Sequence, residues 1–143
     1  MLFRSGINDS SGDWTYLEQL LLLKQERPIA VLNGSDRLAA QALQVGADGL
    51  ISSAACAVPE LLVNLARALP EHRESLNARL LEFIAWVEKF PQPVAIKRAV
   101  ALRGQKSGPE LTPLAPETKL LLEEFSRWFT DWLPLAKKAA ANG

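Results

Sequence analysis

The chain has 143 residues, of which 48% are hydrophobic and 22% charged, enough for one domain with a packed core. Its 16 basic residues balance its 16 acidic ones, so charge gives no reason to expect a nucleic-acid or anionic-membrane partner. The single cysteine, Cys56, excludes an internal disulfide and a cysteine-based metal cluster, and neither a metal nor a cofactor is predicted.

The first half of the chain alternates short apolar runs with helical patterns. Thr15 and Glu18 have capping-box spacing at the first helix, Asp36 is a good N-cap for the second, and Pro59 fits the first turn of the third. The predicted strands are 5–8, 28–32 and 47–54, and the predicted helices are 14–25, 37–45 and 60–69. This alternation predicts parallel βαβ units of an α/β fold, with any active groups at the carboxyl ends of the strands.

The second half is predicted to be helical. One apolar stripe has helical spacing and is broken by two prolines, Pro91 and Pro93. A shorter helix is predicted at 94–103, a loop at 105–115, and a last helix from Pro116 that frays at 137–143. The stripe comprises Leu76, Leu80, Phe83, Ile84 and Val87, and the last helix has Leu121, Phe125, Trp128 and Trp132 on one face.

Three parallel strands do not close, so one face of the sheet would stay open. An eight-stranded barrel would close it, and the pattern therefore favours a piece of a larger α/β barrel followed by a helical region. The expected division is a non-native leader at 1–5, a partial barrel at 6–69 and a helical region at 70–143. No stretch is apolar and long enough to span a bilayer and no secretory signal pattern occurs, so a cytoplasmic location is expected.

Four segments carry a resemblance to a known family. They are GINDSSGD at 6–13, NGSD at 33–36, GADGLIS at 46–52 with Pro59-Glu60, and PVAIK at 93–97 with Pro113-Leu114. In this order and spacing they resemble the C-terminal half of the dihydrodipicolinate synthase / N-acetylneuraminate lyase family of pyruvate aldolases. The resemblance implies strands six to eight of a (β/α)8 TIM barrel, followed by the C-terminal helices.

The same resemblance implies an activity and singles out Asn8. In the family a lysine at this position attacks the ketone of pyruvate or another 2-keto acid, and the resulting Schiff base serves as the electron sink for aldol cleavage or condensation. An amide nitrogen is neither basic nor nucleophilic, so Asn8 cannot replace it. Two explanations stay open: an error beside the 1–5 leader, or a genuine loss of the lysine.

Four further residues match substrate-side positions of the family. Gly34 matches the glycine beside the pyruvate pocket, although a tight turn alone would also explain it. Ile51 matches an apolar pocket residue, with a core strand residue as the more common interpretation. Ser53 and Asp36 lie where sugar-acid lyases of the family contact hydroxyls, with N-capping favoured for Asp36.

Three functions follow from these observations. The first is a fragment of a lyase that is inactive as given, because the lysine and the N-terminal half are absent. The second is a non-catalytic relative that binds a pyruvate-like 2-keto acid. The third is an interaction module built on the C-terminal helices. The resemblance also implies a homo-oligomer for the full-length parent.

Overall fold

The computed structural model describes residues 6–141, so the predicted leader at 1–5 lies outside the described residues. Three strands form one parallel sheet in the order β1-β2-β3. These are β1 (Gly6–Asp9), β2 (Ala30–Asn33) and β3 (Gly49–Leu50). The helices of the described range are α1 (Trp14–Glu26), α2 (Ala39–Gln44), α3 (Pro59–Arg67), α4 (Pro70–Val87), α5 (Val94–Leu102) and α6 (Pro116–Ala141), with 3-10 turns at Asp36–Leu38 and Ala54–Cys56.

One face of the sheet is covered by helices and the other is open. Val31 in the central strand is fully buried. It belongs to a small core with Leu17 and Leu20 of α1, Ala42 of α2, and Ala47. Successive side chains of a strand point to opposite faces, so Leu32 points away from this core. The predicted βαβ order is confirmed.

The second and third strands are shorter than the sequence pattern predicts, whereas the first keeps its predicted length and lies one residue later, at Gly6–Asp9. The third strand was expected over 47–54, but only Gly49–Leu50 is paired, and the last ladder bond runs from Ile51 N to Asn33 O at 3.0 Å. The chain then enters the 3-10 turn Ala54–Cys56. The second strand begins at Ala30 rather than 28, because Pro28 has no N–H and Ile29 N donates to Arg27 O within a turn.

The cap of the first helix differs from the predicted one. Asp13, not Thr15, is the N-cap, and its carboxylate accepts a hydrogen bond from Tyr16 N at 3.2 Å. The predicted capping box of Thr15 and Glu18 is therefore wrong, since both residues lie inside the helix. Pro59 does open α3, as its position in the sequence indicates.

The larger core lies among the helices. All five residues of the predicted α4 stripe are buried, and Phe83 packs on Phe129 and Trp132 with ring centroids 5.7 Å apart in both pairs. The predicted fraying from residue 137 is wrong for 137–141. Helix α6 continues to Ala141 because Ala136 and Ala140 are buried against the rest of the fold. None of the helices between residues 6 and 141 is long and apolar enough to cross a membrane.

Candidate functional site

The carboxyl ends of β1 and β2 meet at Gly34. Asn8 Nδ2 donates a hydrogen bond to Ser10 Oγ at 3.1 Å. A Cβ atom added to Gly34 would lie 2.0 Å from Ser10 Oγ and 3.0 Å from Asn8 Oδ1. Gly34 N donates to Asp9 O at 2.6 Å, which fixes the backbone in this position. Glycine is required here because the polar side chains of Asn8 and Ser10 approach the Gly34 backbone too closely for a Cβ to fit between them.

Two buried polar residues shape the loops beneath this contact. Asp9 is 6% exposed, and its carboxylate accepts a hydrogen bond from Ser11 N at 2.9 Å. Asn33 is 2% exposed and forms two hydrogen bonds with Ser35. Asn33 Nδ2 donates to Ser35 O at 2.8 Å, and Asn33 Oδ1 accepts from Ser35 N at 3.3 Å. The two residues are paired in register across the strands. Sequence reasoning missed them, although a polar residue directly after an apolar strand is the available signal.

Asp36 joins the ends of β2 and β3. Its Oδ2 accepts hydrogen bonds from Ser53 Oγ at 3.0 Å and from Ala54 N at 3.1 Å. The expected N-cap role is wrong, because residues 36–38 form a 3-10 turn and the carboxylate reaches across to the next strand end. Asp36 and Ser53 were predicted separately, and the structure shows that they act as one hydrogen-bonded unit.

A cavity of about 290 Å³ lies between these loops and the C-terminal helices. Its polar wall includes Asp36, Ser53 and the Arg37–Glu88 ion pair. In this pair Arg37 Nε donates to Glu88 Oε1 at 2.6 Å, and Arg37 Nη2 donates to Glu88 Oε2. Hydrogen bonding to Arg37 lowers the pKa of the Glu88 carboxyl below its usual 4.5. The remaining lining residues are Gly34, Ser35, Ala54, Phe83, Ile84, Val87, Gln92 and Ile96.

The predicted site residues fall into two groups. Gly34, Asp36 and Ser53 line the cavity, whereas Asn8 and Ile51 do not. Asn8 pairs in register with Leu32, and Leu32 with Gly49. Paired residues share a face of a parallel sheet, and Ile51 lies two residues beyond Gly49, so Asn8 and Ile51 belong to the open face. Ile51 is 54% exposed there, which contradicts its interpretation as a core strand residue.

The arrangement is suited to hydrogen bonding. The Asn8 amide offers a donor and an acceptor at the open face, and Asp36 with Ser53 offers a carboxylate and a hydroxyl at the cavity. Within the range that the structure describes, no group of three or more His, Cys, Asp or Glu side chains could hold a metal ion. Cys56 is exposed on the 3-10 turn after β3.

Comparison with curated proteins finds relatives at substantial identity. An uncharacterized DapA-like lyase of Halobacterium salinarum is 39% identical over 114 residues, which is 77% of this chain and 37% of that protein. The 4-hydroxy-tetrahydrodipicolinate synthase of Methanosphaerula palustris is 30% identical over 131 residues, 86% of this chain and 45% of the enzyme. The chain therefore spans less than half the length of the curated relatives it matches.

Solved structures show the same fold. KD(P)GA from T. tenax is 26% identical with a TM-score of 0.72, and the likeness covers 89% of this chain and 47% of that one. YagE from E. coli K12, crystallised in complex with pyruvate, has a TM-score of 0.74 at 22% identity over 89% of this chain and 45% of its own. The model of the dihydrodipicolinate synthetase family matches residues 5–131. On this match, and on the identities above, the chain belongs to the dihydrodipicolinate synthetase family.

Proposed function

We propose that this chain forms strands six to eight of a (β/α)8 barrel lyase, with the partial barrel at 6–69 and the helical region at 70–143. The observation that carries the proposal is the meeting of Asn8 with Gly34 at the ends of two parallel strands. Barrel enzymes build their sites at these ends. The open sheet face, with Asn8 and Ile51 on it, is the face that would look into the barrel.

The ligand that we propose is a pyruvate-like 2-keto acid. Asn8, Gly34 and Ile51 would face its keto-acid part, and Asp36 with Ser53 would face the remainder of the substrate. The pyruvate bound in YagE supports this class of ligand. The balanced charge of the chain supports neither a nucleic-acid nor a membrane partner, and we place the full-length protein in the cytoplasm as a homo-oligomer.

As given, the chain is proposed to lack lyase activity. Schiff-base formation needs an amine whose lone pair attacks the ketone, and the lone pair of the Asn8 amide nitrogen is delocalised into its carbonyl. A keto acid at this position is held by hydrogen bonds to Asn8 rather than by a covalent bond. Schiff-base chemistry of the kind used in the family therefore needs a lysine at position 8, where this chain has Asn8.

Borohydride trapping with pyruvate tests the proposal. The chain as given should gain no pyruvate adduct on the peptide that contains Asn8, whereas the Asn8→Lys variant should gain one on that peptide. Lys24 and Lys97 serve as internal controls for non-specific reaction of lysine amines with pyruvate. Lys24 Nζ donates a hydrogen bond to Asp48, and Lys97 Nζ donates one to Pro109 O. If the introduced amine reacts no faster than these native lysines, the strand ends do not form a keto-acid site.

Non-covalent binding is the alternative favoured by the exposed Asn8 amide. Calorimetry with pyruvate should then show saturable binding to the chain as given, and Asn8→Ala should abolish it. A control substitution at the exposed Glu26, at the far end of α1, should leave the binding unchanged. Co-purification of a partner with 70–143 would instead support an interaction module, the third function that the sequence leaves open.

A further inference from the structure

Asn33 and Gly34 form an Asn-Gly pair at the carboxyl end of β2. In such a pair the backbone nitrogen of the glycine can attack the side-chain amide of the asparagine, because glycine has no side chain to hinder the approach. The new bond would join Gly34 N to Asn33 Cγ in a cyclic imide, while Gly34 N gives its proton to solvent and the side-chain nitrogen leaves as ammonia. Water then opens the imide at either carbonyl and leaves an aspartate or an isoaspartate.

Three hydrogen bonds hold the reacting groups of this pair in place. Gly34 N, the attacking atom, donates to Asp9 O at 2.6 Å. Asn33 Nδ2, the leaving group, donates to Ser35 O at 2.8 Å, and Asn33 Oδ1 accepts from Ser35 N at 3.3 Å. The Asn33 side chain is also only 2% exposed, which limits its access to water and base. Cyclisation therefore has to wait until these hydrogen bonds open.

The hydrogen bond to Asp9 O ties this chemistry to the ends of two strands. Asp9 is paired in register with Asn33, and the bond from Gly34 N follows this pair at the ends of β1 and β2. Local opening of such an end costs less free energy than unfolding of the whole chain. An opening that frees Gly34 N also separates Gly34 from the side chains of Ser10 and Asn8.

The aspartate product does not fit the folded position of Asn33. A carboxylate has no N–H to donate, so one of its oxygens would face Ser35 O across the 2.8 Å that Asn33 Nδ2 now bridges. Asp9, the residue paired with position 33, is itself an acid that is only 6% exposed. A second buried carboxylate on the same face of the sheet adds like-charge repulsion. An isoaspartate would lengthen the backbone by a methylene and disturb the turn further.

We propose that Asn33 is a latent deamidation site that the closed strand ends protect. Opening of these ends exposes the Asn-Gly pair, and the resulting carboxylate hinders them from closing again. The modification therefore disrupts the close approach of Asn8 and Gly34. The reaction needs no keto acid, so it is independent of the proposed function.

Peptide mapping by mass spectrometry tests this site in the 143-residue chain, kept folded in buffer or unfolded in guanidinium chloride at the same mildly alkaline pH. In denaturant the peptide that contains Asn33 should acquire the mass of the aspartate or isoaspartate product. In the folded chain it should do so at least roughly tenfold more slowly, because the open state is a minor population. Asn64, which is followed by the bulky Leu65, is the internal control and should stay intact under both conditions. Equal rates at Asn33 would overturn the protection, and an unchanged Asn33 in denaturant would overturn the site itself.

Asn33→Asp reproduces the aspartate product and tests its effect on the fold. In urea unfolding this variant should raise the unfolding equilibrium constant by roughly 5- to 150-fold, because a donor is lost and two oxygens face each other. Gln19→Glu makes the same change from amide to carboxylate at an exposed position of α1, and it should change the constant by less than roughly threefold. Wild-type stability of Asn33→Asp would show that deamidation leaves the strand ends undisturbed. Peptide mapping does not depend on this variant, and neither readout uses pyruvate, so failure here is separate from failure of the proposed function.

Discussion

Replacing Gly34 by alanine should destabilise the fold by forcing neighbouring side chains apart. The added Cβ would lie 2.0 Å from Ser10 Oγ and 3.0 Å from both Ser10 Cβ and Asn8 Oδ1. Rotation of the Ser10 hydroxyl relieves the first contact but not the contact with Ser10 Cβ. The backbone cannot retreat cheaply, because Gly34 N is held by Asp9 O at 2.6 Å. Overpacking of this kind costs about 1–3 kcal/mol.

Urea unfolding of Gly34→Ala measures this cost, and a double-mutant cycle assigns it. Ser10→Gly removes both Ser10 atoms from the clash, so the Gly34→Ala penalty should shrink in that background by about 0.5–3 kcal/mol. Gly49→Ala is the matched control in the same sheet, since its Cβ would meet only Leu32 Cδ2 at 3.4 Å. Equal penalties at Gly34 and Gly49, unchanged by Ser10→Gly, would refute the close approach of the strand ends.

Three further predictions concern the loops, an ion pair and the core. Asp36→Ala should lower the free energy of unfolding by about 1–3 kcal/mol, because the hydrogen bonds from Ser53 Oγ and Ala54 N are lost. Asp36→Asn should lower it less, and urea midpoints measure both effects. Arg37 lowers the pKa of Glu88 in the folded chain, so the stability that this pair contributes is complete above pH 4.5 and is lost as pH falls through the lowered value. The urea midpoints of wild type and Glu88→Gln should therefore converge in acid; a constant difference would contradict the linkage. Phe83→Ala should cost about 3–5 kcal/mol in thermal or urea unfolding, because the ring is fully buried against other aromatic rings.

Periodicity predicted the helical region well. The α4 stripe is buried as predicted, because a 3.6-residue period leaves little choice of which face meets the core. On α6 only Phe125 and Trp132 of the predicted face are fully buried, whereas Leu121 and Trp128 are partly buried and Leu122 and Phe129 complete the buried face. Helix ends were less predictable. Asp13 and Thr15 are both acceptable caps by residue type, and only the backbone path decides that the Asp13 carboxylate reaches Tyr16 N.

The sequence singled out candidate site residues one by one but gave no means of predicting how they are arranged. Gly34 was singled out from the sequence, but its reason was not: its φ is not positive, and the need for glycine comes from the approach of the Ser10 and Asn8 side chains. The Asp36–Ser53 hydrogen bond was not predicted, because it joins loops 17 residues apart and its favoured local alternative was a helix cap. The Arg37–Glu88 pair joins elements 51 residues apart, and a sequence without structure gives no means of pairing those charges.

The placement of the larger core has a consequence for dividing the chain. It begins with Ala39 of α2 and includes Leu61 and Leu65 of α3, which pack in the same cluster as Phe83 and Phe125 of the helical region. A break between residues 69 and 70 would thus leave two polypeptides with complementary apolar surfaces. Co-expressed as 1–69 and 70–143, they should reassociate without a covalent link, which makes this junction a natural site for fragment complementation.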